Sequence, residues 1–257
     1  MPINFHDKEN RFTYAKRDVD SSWIEIILKI VNPSGKHVTD IGCGGGIYTR
    51  TWAQLGAAQV LGLDFSEQMI QTAREMSTDF SNISYQVGNA ISTGLDDKIT
   101  DIVFERALIH HISNIPSCLN EAFRLLRSDG IYIIQERIPE DIEVPASKEH
   151  IRGYFFEKFP HLLDIEYKRR PSSKEIKKGL IAAGFNIIKQ YTLWETRRTY
   201  HNFSEMASDL RDRTGRSILH ELNNEQIEEL ITYISSKIPS EELIIEKDRW
   251  TLWSAIR

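Results

Sequence analysis

Val38-Thr39-Asp40-Ile41-Gly42-Cys43-Gly44-Gly45-Gly46, followed by Ile47-Tyr48-Thr49-Arg50, is the stretch that decides the fold. A short strand-like segment ends in an acidic residue, the chain turns through four glycines in five positions, and an amphipathic segment follows. Glycine at that density admits positive φ and lets a ligand approach backbone that a Cβ would shield. The turn feeds a predicted helix N-terminus, where backbone N–H groups point toward whatever binds there. The next predicted strand, Val60-Leu61-Gly62-Leu63-Asp64, ends in a carboxylate 22 residues after Gly42. That is the spacing at which an acidic side chain grips a ribose in a nucleotide-binding βαβ unit.

A dinucleotide fingerprint, Gly-x-Gly-x-x-Gly, needs glycine at position 47, where Ile47 stands, and this disfavours a nicotinamide oxidoreductase. The pattern present is Gly-x-Gly-x-Gly after an Asp, and it resembles motif I of the class I S-adenosylmethionine-dependent methyltransferases. The resemblance continues in order at Gly62-Leu63-Asp64-Phe65-Ser66, at Gly88-Asn89-Ala90 and across Leu119 to Ile134, so it covers roughly the first half of the chain. It implies an α/β fold: a Rossmann-like, doubly wound, seven-stranded and mostly parallel sheet with its last strand antiparallel. It also implies S-adenosyl-L-methionine as cofactor and methyl transfer by in-line displacement as the reaction.

The same resemblance implies roles for particular residues. Asp64 would accept both ribose hydroxyls. Gly42 and Gly44 would permit close approach, and Asp40 would order the loop or meet the methionine ammonium. Phe65 and Met69 would wall the adenine slot, although a helical Met equally reads as core. Asn89, beside Ala90, stands where the family commonly has Asp, and its amide oxygen can accept the same adenine hydrogen bond. Tyr14 and Arg17 would fold over the cofactor, or belong to a surface cap.

A sulfonium is already a potent methyl donor, so the protein must chiefly align an acceptor and exclude water. The fourth predicted strand, Thr100 to Phe104, runs into Glu105-Arg106-Ala107-Leu108-Ile109-His110-His111, beyond a strand carboxyl end where such sheets bind ligand. His110 and His111 are base candidates because imidazole titrates near neutral pH. A structural role around the cofactor's methionine end is equally open, and adjacent side chains are expected to point to different sides. Arg106 reads as a binder of an acidic acceptor or as a partner of Glu105 or another carboxylate. The segment is not Asp-Pro-Pro-Tyr or Asn-Pro-Pro-Tyr, which lowers the case for amino-group methylation of adenine or glutamine. No His, Cys and carboxylate cluster has metal-ligand spacing, so no metal is expected.

The organisation expected is one domain over 1–257, with an N-terminal helical cap over 1–34 and insertions at 139–171 and 195–248 forming a lid. Helical periodicity runs over Ser21 to Val31 and over Ile115 to Arg127, the latter ended by Asp129-Gly130. A buried strand is expected over Ile131 to Ile134, and Ser172-x-x-Glu175 is a capping box. The last two strands are expected at Phe185 to Leu193 and Thr251 to Ile256, with helices near Phe203 to Arg213 and Asn224 to Lys237 between them. Tyr154, Phe155, Phe156 and Phe159 in the first insertion are too many aromatics for an ordinary exposed loop. Arg197, Arg198, His201, Arg211, Arg213 and Arg216 in the second would receive an anionic acceptor or be solvated.

A net charge of −5 argues against a broad nucleic-acid-binding surface while leaving a local basic patch open. No apolar run approaches the ~20 residues of a membrane span, and the N-terminus lacks a signal-peptide pattern. Cys43 and Cys118 are isolated, which suggests reduced thiols and a cytoplasmic protein. The expected partner is a small-molecule methyl acceptor, and the oligomeric state is left open. The rivals are a tRNA-modifying methyltransferase using Lys168-Arg169-Arg170 and Arg211-x-Arg213-x-x-Arg216, and a cofactor-binding protein without catalysis.

Overall fold

The computed structural model describes residues 19–238 and 243–257. The elements follow in order: α1 (Ser21–Ile30), β1 (His37–Ile41), α2 (Ile47–Gln54), β2 (Gln59–Asp64), α3 (Glu67–Glu75), β3 (Ile83–Val87) and β4 (Thr100–Arg106). After them come α4 (Ile115–Leu125), β5 (Leu126–Glu136), α5 (Pro139–Ile142), α6 (Arg152–Lys158), α7 (His161–Arg169) and α8 (Ser173–Ala182). The chain closes with β6 (Asn186–Tyr200), α9 (Phe203–Arg211), α10 (Asn224–Ser235) and β7 (Ile244–Ile256). The strands form one seven-stranded sheet in the order β3-β2-β1-β4-β5-β7-β6. β1 pairs in parallel with β2 and β4, while β7 is antiparallel to both β5 and β6. The reversal of strand order beside β1 opens a crevice beyond the carboxyl ends of β1 and β4, where such sheets take their ligands.

Burial explains why these segments hold their places. β4 and β5 are apolar on both faces because helices cover both sides, as parallel sheets require. One face takes Trp23 and Ile27 of α1 with Tyr48 and Trp52 of α2, packed on Phe104 and Ile133. Trp23, Trp52 and Phe104 meet edge to face with centroids 5.4–5.6 Å apart, the arrangement their quadrupoles favour. The other face takes Leu119 and Ala122 of α4 with Ile176 and Leu180 of α8. Ser172 caps α8 through the predicted reciprocal box with Glu175.

Two boundaries differ from the sequence reading. α4 stops at Leu125 and β5 begins at Leu126, with Asp129 at φ 63° inside the strand's irregular start. Arg127 and Asp129-Gly130 therefore belong to the strand rather than to a helix end. β6 and β7 also run further than expected, paired from Asn186↔Ile256 out to Tyr200↔Ile244. Cross-strand pairing overrides the charge-rich composition that made 195–200 and 244–248 read as insertion. β5 leaves the sheet at Glu136, opposite Thr251, so the β6–β7 hairpin extends beyond the carboxyl end of β5.

The outer end of that hairpin supports a second, separate core, a helical cap built from α6, α7, α9 and α10 and distinct from the N-terminal segment. Tyr154, Phe155 and Phe156 of α6 are buried there, with Leu162 of α7, Met206 and Leu210 of α9, and Leu230 and Ile234 of α10. Both insertions read from the sequence contribute to it. A buried ionic cluster ties it to the hairpin: Arg216 bonds Asp209 at 2.5 Å and Glu246 at 2.6 Å, Arg197 reaches the same two carboxylates, and Tyr200 Oη donates into the group. Removing one partner of such a cluster leaves buried charge uncompensated, at about 3–5 kcal/mol. Arg216→Ala should lose that much in urea denaturation. A loss below about 1 kcal/mol, the range of an exposed pair, would mean that water enters the cluster freely.

Candidate active site

The glycine loop leaves β1 at Ile41 and turns on three positive φ values, 74° at Gly42, 52° at Gly44 and 77° at Gly46. One of these is required by space as well as by φ. A Cβ on Gly46 would stand 2.3 Å from Tyr85 Oη, so only glycine lets α2 start there. At Gly44 nothing lies within 4 Å of a Cβ position, so the loop is open on that side. Gly42 and Cys43 donate their N–H groups back to Leu63 O, which welds the loop to the end of β2. α2 then begins at Gly46 with no side-chain cap.

Asp64 closes this cradle. Its Oδ2 accepts from Gly44 N at 2.9 Å and its Oδ1 from Ser66 N at 2.9 Å, so the carboxylate is aimed by backbone on both sides. Asp40, 2% exposed, accepts from Thr49 Oγ1 at 2.6 Å and ties β1 to the first turn of α2. Burial, with the Asp64 charge nearby, lifts the Asp40 pKa to about 7.

The other expected cofactor residues fall around the same edge, with one exception. Phe65, beside Asp64, is 52% exposed. Asn89 is exposed after β3, where its Oδ1 accepts from Ile91 N and shapes the turn, and the neighbouring Ala90 is buried. Met69 is 2% exposed and its backbone N–H serves the Ser66 cap, so the structure places it in the interior rather than on a slot wall. That burial supports the core alternative for Met69. Tyr14 and Arg17 lie outside the described residues.

The segment after β4 carries a denser network than sequence suggested. Arg106 pairs with Glu195 of β6 at 2.8 Å, not with Glu105. Its guanidinium lies 4.6 Å from the Tyr48 ring centroid and 4.3 Å from that of Trp250. Tyr48 Oη also donates to Glu195, at 2.6 Å, and Gln135 Nε2 donates to it at 3.0 Å. Glu105 is buried against Cys118, and burial, with Asp40 and Glu136 nearby, raises its pKa to about 7.

The two histidines do not point apart: their ring centroids are 4.0 Å from each other. The 3-10 turn Ile109–His111 holds both rings on one side. His110 Nδ1 lies 2.7 Å from Glu136 Oε2. With burial acting against it, Glu136 is held well below the usual carboxylate range by His110 and Arg170, so it stays an anion. A neutral His110 therefore donates from Nδ1, which leaves Nε2 as its acceptor. Burial lowers the pKa of His110, and packing against its neighbours, His110 included, lowers that of the more exposed His111.

The basic residues singled out in sequence are largely spent inside the protein. Arg170 is buried between Glu136 and Glu166, and Arg169 also pairs with Glu166. Arg197 and Arg216 belong to the cap's ionic cluster, Arg198 joins Asp209, Arg211 pairs with Glu228, and Arg213 donates to Leu219 O and Leu222 O. His201 pairs with Glu205 at the surface. The expected anion-receiving face is thus consumed by nearby carboxylates and carbonyls, and the same pairing removes most of the RNA-binding patch.

Sequence reasoning missed Glu136, Arg137, Glu195 and Trp250. Their signal was topological: each lies near the carboxyl end of β5 or on the hairpin extension that packs beside it. Among the described residues no group of three or more His, Cys, Asp or Glu could hold a metal ion, and no helix is long and apolar enough to cross a membrane. A surface concavity of about 590 Å³ lies elsewhere, against α8, lined by Lys174, Lys177 and Ile181 among others.

Comparison with known proteins agrees with this geometry. Residues 39–134 match the family model described as a methyltransferase domain. A demethylmenaquinone methyltransferase of Tropheryma whipplei is 34% identical over 118 residues, which is 46% of this chain and 48% of that enzyme. The chain therefore spans about half the length of that relative. The YcgJ methyltransferase of Bacillus subtilis is 24% identical over 199 residues, covering 76% of this chain and 75% of it. Its crystal structure superposes with a TM-score of 0.62 over 92% of this chain and 98% of that one. A phosphoethanolamine N-methyltransferase of Haemonchus contortus, solved with phosphomonomethylethanolamine and S-adenosylhomocysteine, gives a TM-score of 0.61 at 17% identity, over 99% of this chain and 61% of its own. Residues 39–134 thus match a methyltransferase domain, the chain shares the fold of these solved methyltransferases, and the cofactor expected from the sequence is S-adenosyl-L-methionine. The open side of Gly44, the uncapped start of α2 and the backbone-aimed Asp64 fit that cofactor.

Asp40 and Glu105 set a pH dependence of stability. Each has a folded pKa near 7, above its unfolded value, so the folded state binds more protons between about pH 4 and pH 7. Their contribution is full below about pH 4 and is lost as pH rises through 7. Asp40→Asn, which keeps an acceptor for Thr49, should flatten the decline in unfolding free energy between pH 5 and 7. An unchanged slope would show that Asp40 is ionised in the free protein.

Proposed function

We propose that this chain transfers the methyl group of S-adenosyl-L-methionine to a small-molecule acceptor bound between the carboxyl edge of the sheet and the helical cap. One observation carries the reading. The cap's arginines neutralise its own carboxylates instead of forming a positive surface, so the cap is built to stand over a small site rather than to receive a polyanion.

In this reading Asp64 accepts from the ribose hydroxyls while the backbone bonds from Gly44 and Ser66 keep it oriented. Gly42 and Gly44 floor the methionine end, and Asp40 beneath them holds the loop to α2. Phe65, Asn89 and Ala90 border the adenine. When bound, the cofactor supplies a methyl group on a sulfonium, already activated for displacement. Where the acceptor must lose a proton, His110 takes it at Nε2, with Glu136 stabilising the imidazolium that results. His111 packs against that ring, and Arg106 builds the wall with Tyr48 and Trp250 and is a positioning residue. The two insertions act as a lid over 139–171 and 195–248. The two free, buried cysteines are in keeping with a cytoplasmic location.

A label-transfer screen with methyl-tritiated cofactor, offered metabolite extract and bulk tRNA in parallel, tests the reading. Label is expected in a small-molecule fraction, and label in tRNA would overturn the acceptor class. Asp64→Ala should weaken S-adenosylhomocysteine binding by about 2–3 kcal/mol, the cost of a lost charge-assisted bond with partners left unpaired. Calorimetry on the folded variant reads this directly, and an unchanged affinity would remove Asp64 from the site.

A further inference from the structure

Arg137 follows the last residue of β5, and among the described residues near this edge it is the cationic side chain left with two buried guanidinium nitrogens lacking hydrogen bonds, against one, Nε, for Arg106. It is 8% exposed, yet its Nε and Nη1 have no hydrogen-bond partner. The nearest carboxylate, Asp248, lies 3.4 Å from Nη1 but is held by Arg152, through Nε at 2.9 Å and Nη2 at 3.3 Å. Glu136 and Glu166 are held by Arg170. Arg137, Arg152 and Asp248 together therefore carry one surplus positive charge. Burial, with the Arg152 and Arg170 charges, lowers the Arg137 pKa to about 9, which still leaves it a cation at neutral pH. Its guanidinium lies 4.4 Å from the centroid of Trp250, the same indole that Arg106 approaches on the wall of the proposed acceptor space. His150, 1% exposed, also has a ring nitrogen, Nε2, without a partner, and it feels the same Asp248, Arg152 and Arg137 charges.

A buried guanidinium with idle donors is costly unless an anion completes it. A carboxylate or a phosphate ester matches its planar fork, and Trp250 offers an apolar face beside that fork. We propose that Arg137 is the recognition site for an oxyanion carried by the methyl acceptor, so that the acceptor is an acid or a phosphate ester with an apolar or aromatic body. This rests on the reading of the chain as a small-molecule methyltransferase, and it gives that reading a substrate class.

The test is titration calorimetry on the full chain at constant ionic strength, with benzoate and inorganic phosphate as separate probes, each with and without saturating S-adenosylhomocysteine. At least one probe should bind the wild type at one site per chain, benzoate marking a carboxylic acid and phosphate marking a phosphate ester. Arg137→Gln should weaken that binding at least tenfold while S-adenosylhomocysteine affinity stays within twofold. Arg137→Lys, which keeps the charge and loses the fork, should fall between the two. It also carries the test if the glutamine variant does not fold. Because no carboxylate depends on Arg137 alone, Arg137→Gln should keep or raise the melting temperature. A fall of many degrees in both variants with no change in anion affinity would make Arg137 structural and overturn the proposal, as would failure of both probes to bind the wild type. Failure of S-adenosylhomocysteine to bind would strike the methyltransferase reading instead, and the anion titration alone would still judge Arg137.

Discussion

A buried carboxylate keeps its charge only where donors converge on it, and Glu195 gathers them from three separate parts of the fold. Arg106 reaches it from the end of β4, Gln135 from β5 and Tyr48 from the first turn of α2. Gln135 in turn accepts from Trp23 Nε1, which adds α1 to the group. Glu195 itself stands on the part of β6 that has already passed the edge of the parallel sheet. The position of the hairpin, and of the helices that ride on it, thus depends on one side chain bonded to the elements that carry the glycine loop and the post-β4 turn. The low dielectric that makes each of these bonds strong also makes the loss of any one expensive.

The cap repeats this logic at its own scale. Its helices bury an aromatic and aliphatic core, but the hairpin end beneath them is held by Arg197 and Arg216 against Asp209 and Glu246. Charges spent in this way position the cap and are unavailable for ligands. The consequence is selective: where nearly every arginine near the site is neutralised by a neighbour, one left over becomes informative. Fold position supplies the rest, since the crevice beside β1 and β4 is where the glycine loop, Asp64 and the histidine turn all arrive.

The legible part of the sequence was the part whose physics is local. Positive-φ glycines, a strand-ending carboxylate, an amphipathic α4 and the capping box at Ser172 are written within a few residues each, and the structure carries them where periodicity and spacing put them. The illegible part was pairing across long separations. Arg106 lies 89 residues from Glu195, and Arg152 lies 96 residues from Asp248, so local sequence names neither partner. The same blindness shortened β6 and β7, because residues 195–200 are strand only by virtue of 244–248 opposite them. Met69 was left open between slot wall and core for a different reason: helical spacing says which face a side chain is on, not how deeply that face is covered.

The central claim is that the carboxyl edge around the glycine loop, Asp64 and Asn89 receives the cofactor. Amide hydrogen exchange of the full chain, with and without saturating S-adenosylhomocysteine, addresses it without any substitution. The account predicts slowed exchange confined chiefly to 42–49, 64–69 and 88–91, with the outer faces of α4 and α8 unchanged. Uniform protection across the chain, or none in those three segments despite saturation, would contradict it.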